Sequence, residues 1–145
     1  MYDRILLATD GSDTAQLAAE RAIEMADRHD ATLHVLSVAE RTRDDPVEKG
    51  LEEKLTEEVS EGKEVVEAVE GRASERGVDT AVTVDVGVPR VIIERYVDEH
   101  DVGVTVVGST GASDVTEKLL GTVAKYVVNE APSDVFVVRP DAALA

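Results

Sequence analysis

Short apolar runs alternate along the chain with segments whose apolar residues recur at helical spacing. Five runs are rich in β-branched or aliphatic residues and are typical of buried strands: Ile5–Ala8, Leu33–Val38, Ala81–Val86, Val104–Val107 and Asp134–Val138. A helical pattern follows each of the first four runs. Strands that alternate with helices predict an α/β protein with a doubly wound parallel sheet of five strands.

The helical segments differ in length and in how they begin. In the first, the apolar face consists of Ala15, Ala18, Ala19, Ala22, Ile23 and Ala26. The second runs from Leu51 to Ala73 after the acidic loop Glu40–Gly50, and Gly62 within it indicates a kink or break. Pro89, after Gly87 and Val88, is suited to the first position of a helix that extends to His100. The last helix carries Val123, Ala124, Val127 and Val128.

Length and composition predict one domain over residues 1–145. The chain has 43% hydrophobic residues, and no apolar stretch approaches the roughly 18 residues of a membrane span. Its first residues show no signal-peptide pattern, so we expect a cytoplasmic protein. The absence of cysteine excludes disulfides and thiolate metal sites, and the three histidines lack metal-ligand spacing.

The charge balance is strongly acidic. Thirty-one acidic and fifteen basic residues give a formal net charge of −16, which repels nucleic acid and anionic membranes. Aromatic residues make up 3% of the chain, too few for a base-stacking platform. The acidic residues are spread along the whole sequence, which indicates a solvated surface adapted to high salt.

Glycines at the end of the fourth strand predict a phosphate site. Gly108 and Gly111 follow the apolar run, and Gly121-Thr122 comes nine residues later. Glycine lets backbone N–H groups approach an anion closely, and a helix N-terminus adds partial positive charge. Two arrangements fit Gly121. Either one helix runs from Ser113 to Asn129 through this glycine, or a helix begins at Gly121 and its free N–H groups face the ligand.

A capping box at Asp114 and Glu117 favours the earlier helix start.

Two further strand ends should face the same crevice. Asp10 directly follows strand one and could bind a ribose hydroxyl or help hold Mg²⁺ or Mn²⁺. The alternative is local: Asp10 and Ser12 end a turn, and Asp13 with Gln16 forms a capping box. Val38, at the end of strand two, is either one wall of a pocket for a flat ring or an ordinary core residue.

The motif G-x-x-G-x9-G-[ST] after a strand, together with Ile5–Ser12, Gly87-Val88-Pro89 and Pro132–Val138, resembles the universal stress protein family over nearly the whole chain. The resemblance implies a single-domain fold of the adenine nucleotide alpha hydrolase type with strand order 3-2-1-4-5. It also implies a homodimer through strand five, Asp134–Val138, and an ATP site.

The family's nucleotide-binding positions can be transferred to the matching positions of this sequence. The resemblance then assigns binding residues to the ends of strands one, two and four and to the Gly121 turn. These are Ala8, Thr9, Asp10, Val38, Val107, Gly108, Ser109, Gly111, Ser113, Gly121, Thr122 and Val123. The chain departs from the family pattern at Ala112, where many members have Arg or Lys, and at Gly103, where many have Asp. Because Asp114 is also close, phosphate binding must rely on backbone N–H groups, the hydroxyls of Ser109, Ser113 and Thr122, and a cation.

These observations indicate a cytoplasmic ATP-binding stress-response protein that acts as a nucleotide-dependent binding or signalling module. AMP or a cyclic nucleotide fits the pattern as well. No catalytic triad, positioned base or Walker lysine lies near the glycines, so any ATP hydrolysis should be slow. Two alternatives remain: an ATP-using enzyme on a related α/β scaffold, although its Ser-Gly-Gly-x-Asp and His-x-Gly-His motifs do not occur, and a dimeric interaction module without ligand.

Overall fold

The computed structural model of the chain describes residues 2–40, 51–110 and 121–140. The elements are β1 (Arg4–Ala8), α1 (Asp13–His29), β2 (Thr32–Glu40), α2 (Leu51–Glu75), β3 (Thr80–Gly87), α3 (Pro89–His100), β4 (Val104–Gly108), α4 (Thr122–Glu130) and β5 (Asp134–Val138). The strands form one parallel sheet in the order β3-β2-β1-β4-β5. The predicted α/β fold and strand order are therefore confirmed.

Strand β1 lies at the centre of the sheet, between β2 and β4. Its residues Ile5, Leu6 and Leu7 are fully buried, because helices cover both faces of the sheet. This explains why the strand is continuously apolar instead of alternating. The chain winds from β1 towards β3 on one side and towards β5 on the other, so the direction of winding reverses between β1 and β4. In sheets of this kind, ligands bind at the carboxyl ends of the strands at that reversal.

The core consists of two apolar clusters, one on each face of the sheet. The α1–α2 cluster contains the alanine face of α1 together with Val66, Val69 and Ala73 of α2. The α3–α4 cluster contains Ile92, Ile93, Tyr96 and Val97 of α3, and Ala124 and Val127 of α4. All six residues predicted for the apolar face of α1 are buried. Small side chains on that face bring the helix close to the sheet.

Helix α2 is continuous through Gly62, so a break at this glycine was a wrong expectation. The glycine has a packing role. A Cβ atom at Gly62 would lie 3.0 Å from Ser37 Oγ and 3.2 Å from Val84 Cγ1, both on the underlying strands. Gly62 therefore allows α2 to approach β2 and β3 closely. Gly71, in the same helix, has no atom within 4 Å of the corresponding position.

This difference predicts opposite results for the same substitution. Gly71→Ala should raise the free energy of unfolding by about 0.5–1 kcal/mol, because alanine restricts the unfolded chain and favours the helix. Gly62→Ala should lose that gain, because its methyl group must displace Ser37 or Val84. Urea unfolding of both variants measures the difference. Equal stabilisation by the two alanines would contradict the close approach at Gly62.

The residues at which the helices begin follow local rules, and the sequence predicted some of these starts correctly. Pro89 is in the first turn of α3, as predicted. The N-cap of α1 is Ser12, whose side chain accepts a hydrogen bond from the N–H of Ala15 at 3.2 Å. The predicted capping box of Asp13 and Gln16 is therefore wrong, since Asp13 is already the first helical residue.

Helix α4 begins at Thr122 with Gly121 as its N-cap. Gly121 has an extended backbone with φ −64° and ψ 165°, which excludes one helix running through it from Ser113 to Asn129. The prediction of a helix start at Gly121 is thus confirmed, and the facing of its N–H groups towards a ligand stays a prediction. Glu40, expected in a loop, is the last residue of β2. Several residues named in the sequence analysis lie outside the described residues. They are the rest of that loop and Gly111, Ala112, Ser113, Asp114 and Glu117.

Gly103, at the unusual position of the family pattern, packs against an aromatic ring. A Cβ atom there would lie 2.9 Å from Cδ1 of Tyr2. The hydroxyl of Tyr2 donates a hydrogen bond to Asp134 at 2.7 Å, so the ring closes the amino ends of β4 and β5. Within the described ranges, no helix is long and apolar enough to cross a membrane.

Candidate functional site

The carboxyl ends of β1 and β4 meet at the reversal point of the sheet, and the turn after β1 is held by local hydrogen bonds. The N–H of Gly11 donates to Thr9 Oγ1 at 3.2 Å, and the N–H of Ser12 donates to Asp10 Oδ1 at 2.9 Å. Gly11 has φ +77°, and a Cβ atom there would lie 2.7 Å from Val65 Cγ2 of α2. Asp10 is exposed, and one of its oxygens stabilises the turn.

This arrangement supports the local role proposed for Asp10 and Ser12, and it is compatible with a ligand role for Asp10. Within the described part of the chain, no three His, Asp or Glu residues are grouped to hold a metal ion. Mg²⁺ commonly binds through one or two carboxylates, several waters and the phosphates of a nucleotide. An exposed carboxylate at Asp10 fits a metal ion that arrives with a nucleotide.

The start of α1 packs against Gly108, the glycine at the end of β4. A Cβ atom at Gly108 would lie 2.9 Å from Thr14 Cγ2 and 3.3 Å from the backbone carbon of Thr14. The hydroxyls of Thr14 and Thr110 are 3.1 Å apart and share a hydrogen bond. Gly108 is therefore required for packing as well as for any ligand. Sequence reasoning missed Thr14 as a site neighbour because its partner lies 96 residues away.

Ser109 connects β4 to β5 and to α4 through its backbone. Its N–H donates to the carbonyl of Val138 at 2.8 Å, and its carbonyl accepts from the N–H of Gly121 at 2.7 Å. The side chain is fully buried, and Ser109 Oγ has no hydrogen-bond partner in the described structure. A buried hydroxyl is normally paired, so this one is an uncommon feature.

The first turn of α4 has backbone donors without an acceptor in the helix itself. The first helical hydrogen bond runs from the N–H of Lys125 to the carbonyl of Gly121 at 2.9 Å, so the N–H groups of Thr122, Val123 and Ala124 have no acceptor within the helix. Gly121 has no side chain to cap them. Free N–H groups of this kind, together with the helix dipole, are the features that bind anions at helix N-termini. Thr122 is exposed and Gly121 is buried.

Four predicted site residues share one face of the sheet. Ala8, Val38, Val107 and Val123 all pack in or against the α3–α4 cluster. Val38 is partly buried and pairs with Asp85 of β3 in the sheet register. The structure thus brings the apolar members of the predicted site onto the α3–α4 face, next to the first turn of α4.

A cavity of about 600 Å³ lies on the opposite face, between α1 and α2. Apolar residues of the two helices, including Ala15, Ala19 and Val65, form much of its lining. Thr9 is the only predicted site residue that lines it among those described. The cavity is therefore distinct from the α3–α4 side of the crevice.

A parallel five-stranded sheet with helices on both faces and the order β3-β2-β1-β4-β5 defines a doubly wound α/β protein. Comparison with known proteins identifies the family. The chain belongs to the universal stress protein family, whose model matches residues 1–139.

Relatives match over nearly their whole length. A universal stress protein of Methanocaldococcus jannaschii is 32% identical over 142 residues, covering 96% of this chain and 83% of the relative. The structure of universal stress protein UspA from Lactobacillus plantarum is 29% identical with a TM-score of 0.80, covering 95% of this chain and 98% of that one. A universal stress protein solved in complex with cAMP is 25% identical with a TM-score of 0.73, covering 95% and 97%.

Proposed function

We propose that this protein binds an adenine nucleotide, with ATP as the leading candidate, and acts in the stress response as a nucleotide-dependent binding or signalling module. The observation that carries the proposal is the first turn of α4. Three backbone N–H groups there lack helical acceptors, and the N-cap residue Gly121 provides no competing side chain. A phosphate group would pair these donors and gain from the helix dipole.

Two further observations support an adenine nucleotide in particular. Val38, Ala8 and Val107 provide an apolar surface on the same side as α4, suited to a flat base. A relative of similar fold, 25% identical, has been solved in complex with cAMP. The buried hydroxyl of Ser109, which lacks a partner in the described structure, could pair with a ribose or phosphate oxygen.

The proposed assignment within the site follows the strand ends. Ala8, Thr9 and Asp10 would border the adenosine, with Asp10 reaching a ribose hydroxyl or a nucleotide-bound Mg²⁺ or Mn²⁺. Val38 would contact adenine, and Val107, Gly108, Ser109, Gly121, Thr122 and Val123 would surround ribose and phosphates. Gly111 and Ser113 belong to the same proposal through the motif. These residues bind and orient the nucleotide, and none is assigned a catalytic role.

Two measurements test the proposal. Mass spectrometry of small molecules released by denaturing the purified protein should detect an adenine nucleotide. Calorimetric titration with ATP, AMP and cAMP, each with and without Mg²⁺, should rank the ligands and show whether ATP needs the cation. Failure of all three to bind the nucleotide-free protein would favour a dimeric module without ligand.

We further propose a homodimer in which the β5 edges of two copies pair around a two-fold axis. Strand β5 pairs with β4 on one side, and the described residues place no strand on its other side. Phe136, on this edge strand, is 41% exposed. An apolar edge without a partner promotes aggregation, and two-fold pairing would cover it.

Light scattering should therefore report a dimer at micromolar concentration, and Phe136→Asp should convert it to a monomer. Burying two like charges near the two-fold axis opposes association. Val91→Asp is the matched control, since Val91 is 52% exposed on α3, away from β5. A wild-type monomer, or equal dissociation of both variants, would contradict pairing through β5.

A further inference from the structure

Three aromatic side chains form a cluster on the α3 side of the sheet, apart from the proposed nucleotide site. His34 of β2 is buried, and its Nδ1 is 2.7 Å from the hydroxyl of Tyr96 on α3. The ring of Tyr96 stacks on the ring of His100, with centroids 4.0 Å apart and planes at 27°. The two imidazole rings lie 5.2 Å apart. Since His34 lies near the amino end of β2, the cluster is at the opposite end of the sheet from Gly121.

The hydrogen bonds of the cluster fit a neutral His34. The ring of Tyr96 also stands nearly edge-on to the ring of His34, with centroids 5.5 Å apart and planes at 73°. In neutral His34, Nδ1 either accepts from the Tyr96 hydroxyl or donates to its oxygen, depending on the tautomer. In charged His34, Nδ1 is a donor, so the Tyr96 hydroxyl must turn its own proton away and accept this bond.

The charges around His34 also oppose its protonation. Burial is the largest cause that lowers its pKa, followed by the positive charges of His100 and Arg4. Arg4, on β1, makes an ion pair with Asp101 at 3.7 Å. On β3, Asp85 is paired with Arg95 of α3 at 3.1 Å, and Arg95 also contacts Glu99 at 3.9 Å. Among the described residues, no carboxylate is one of the causes that shift the pKa of His34.

We propose that His34, Tyr96 and His100 form an acid-sensitive latch, which holds the C-terminal half of α3 on the sheet at neutral pH and releases it on acidification. When His34 is charged, an ionised ring is buried 5.2 Å from the ring of His100, and the free-energy cost of that buried charge opposes the packing of this half of α3. The buried contacts of Tyr96 and Val97 then hold this half of the helix alone. Ile92 and Ile93 anchor the other half.

The direction of the pH effect follows from linkage. The pKa of His34 is lower in the folded protein than in the unfolded chain, where it is about 6.5, so the unfolded chain takes up the proton first as pH falls. The stabilising contribution of neutral His34 is complete above about pH 6.5 and is lost below it. In that window, this one group raises the unfolding equilibrium constant by up to about tenfold per pH unit.

Nuclear magnetic resonance titration of the ring protons provides the first test. The His34 signals should titrate below the midpoint of a histidine in a short peptide, and His100→Gln should move the His34 midpoint upward by removing the neighbouring charge. His29→Gln is the matched control, because His29 contacts Tyr2 and is not part of the cluster. An unchanged His34 midpoint in His100→Gln, or an equal shift in His29→Gln, would overturn the coupling.

Hydrogen exchange provides the second test, with amide rates corrected for the intrinsic effect of pH. Between pH 7 and 5, the last two turns of α3 should lose protection at least tenfold more than α1 does. His34→Gln should remove this difference while keeping a neutral polar group beside Tyr96, and Tyr96→Phe gives an independent check if that variant is unstable. Equal loss of protection in α1 and α3 of the wild-type protein would overturn the release of α3.

Discussion

Gly121→Val is expected to weaken adenine nucleotide binding at least about a hundredfold while the protein stays folded. Gly121 is buried at the start of α4 and has an extended backbone that valine can also adopt. The substitution therefore adds bulk without imposing a strained conformation. Its branched side chain would occupy the space in front of the free N–H groups, where the phosphate is proposed to bind.

A second variant, Gly121→Asp, tests nucleotide affinity separately from the stability of the fold. An aspartate at the N-cap can accept a hydrogen bond from the first turn of α4 and interacts favourably with the helix dipole, so stability should increase by a few tenths to about 1 kcal/mol. The same carboxylate would occupy the phosphate donors and repel an anion. Stability and nucleotide affinity should thus change in opposite directions.

Calorimetric titration with ATP and Mg²⁺, combined with thermal unfolding, measures both effects, and light scattering should show that the dimer persists. Gly71→Ala is the control, because its added methyl group contacts nothing and lies in α2. If Gly121→Val binds ATP as the wild type does, the phosphates do not lie at the start of α4.

Salt is expected to stabilise the fold strongly, with the midpoint of thermal unfolding rising by about 5–10 °C between roughly 0.1 and 1 M KCl. The chain carries a formal net charge of −16. Among the described residues, arginines pair with Glu24, Asp27, Asp85, Glu99 and Asp101. Because 31 acidic residues face only 15 basic ones, more than half of the carboxylates cannot each have a cationic partner, so repulsion dominates and ions screen it.

Two charge variants test whether repulsion between carboxylates on the surface of α2 contributes to this dependence on salt. Glu57 and Glu61 are exposed and four residues apart, an unfavourable like-charge spacing. Replacing both with Gln should raise the midpoint at low salt and reduce its dependence on KCl. The matched control is Glu24→Gln with Asp27→Asn, which makes the same change in net charge but breaks two ion pairs of 2.9 Å.

The control should gain less stability at low salt than the α2 variant, because each lost ion pair offsets part of the relieved repulsion. A midpoint that stays flat or falls with KCl would show that repulsion among carboxylates is not a major term for this fold.

Much of the architecture was predictable because the relevant signals are local. The alanine face of α1, Pro89 at the start of α3 and the apolar run of β5 depend on residues near one another in the chain. The resemblance to a known family added the strand order, which local patterns do not determine. Local rules were less reliable for helix starts, where Asp13 and Ser12 compete for the same capping role and side-chain geometry selects Ser12.

The site was predicted as a set of strand ends, and the structure added the contacts between them. Thr14 packs on Gly108, Val65 of α2 packs on the Gly11 turn, and Ser109 links β5 to α4. None of these contacts has a sequence signal, because each joins residues that are distant in the chain.

The glycines show the same division between local and long-range information. The sequence alone identifies Gly62, Gly71, Gly108 and Gly121 as backbone without side chains, and it favours a ligand role wherever glycine follows a strand. Tertiary packing separates their roles. Gly62 and Gly108 pack against a neighbouring element, whereas Gly71 has none within reach among the described residues. Gly121 starts a helix whose first N–H groups have no acceptor within the helix. A missing side chain has a physical effect only through what approaches it. That approach is decided by the packing of helices against the sheet, whereas the helices and strands themselves follow from the periodicity of the chain.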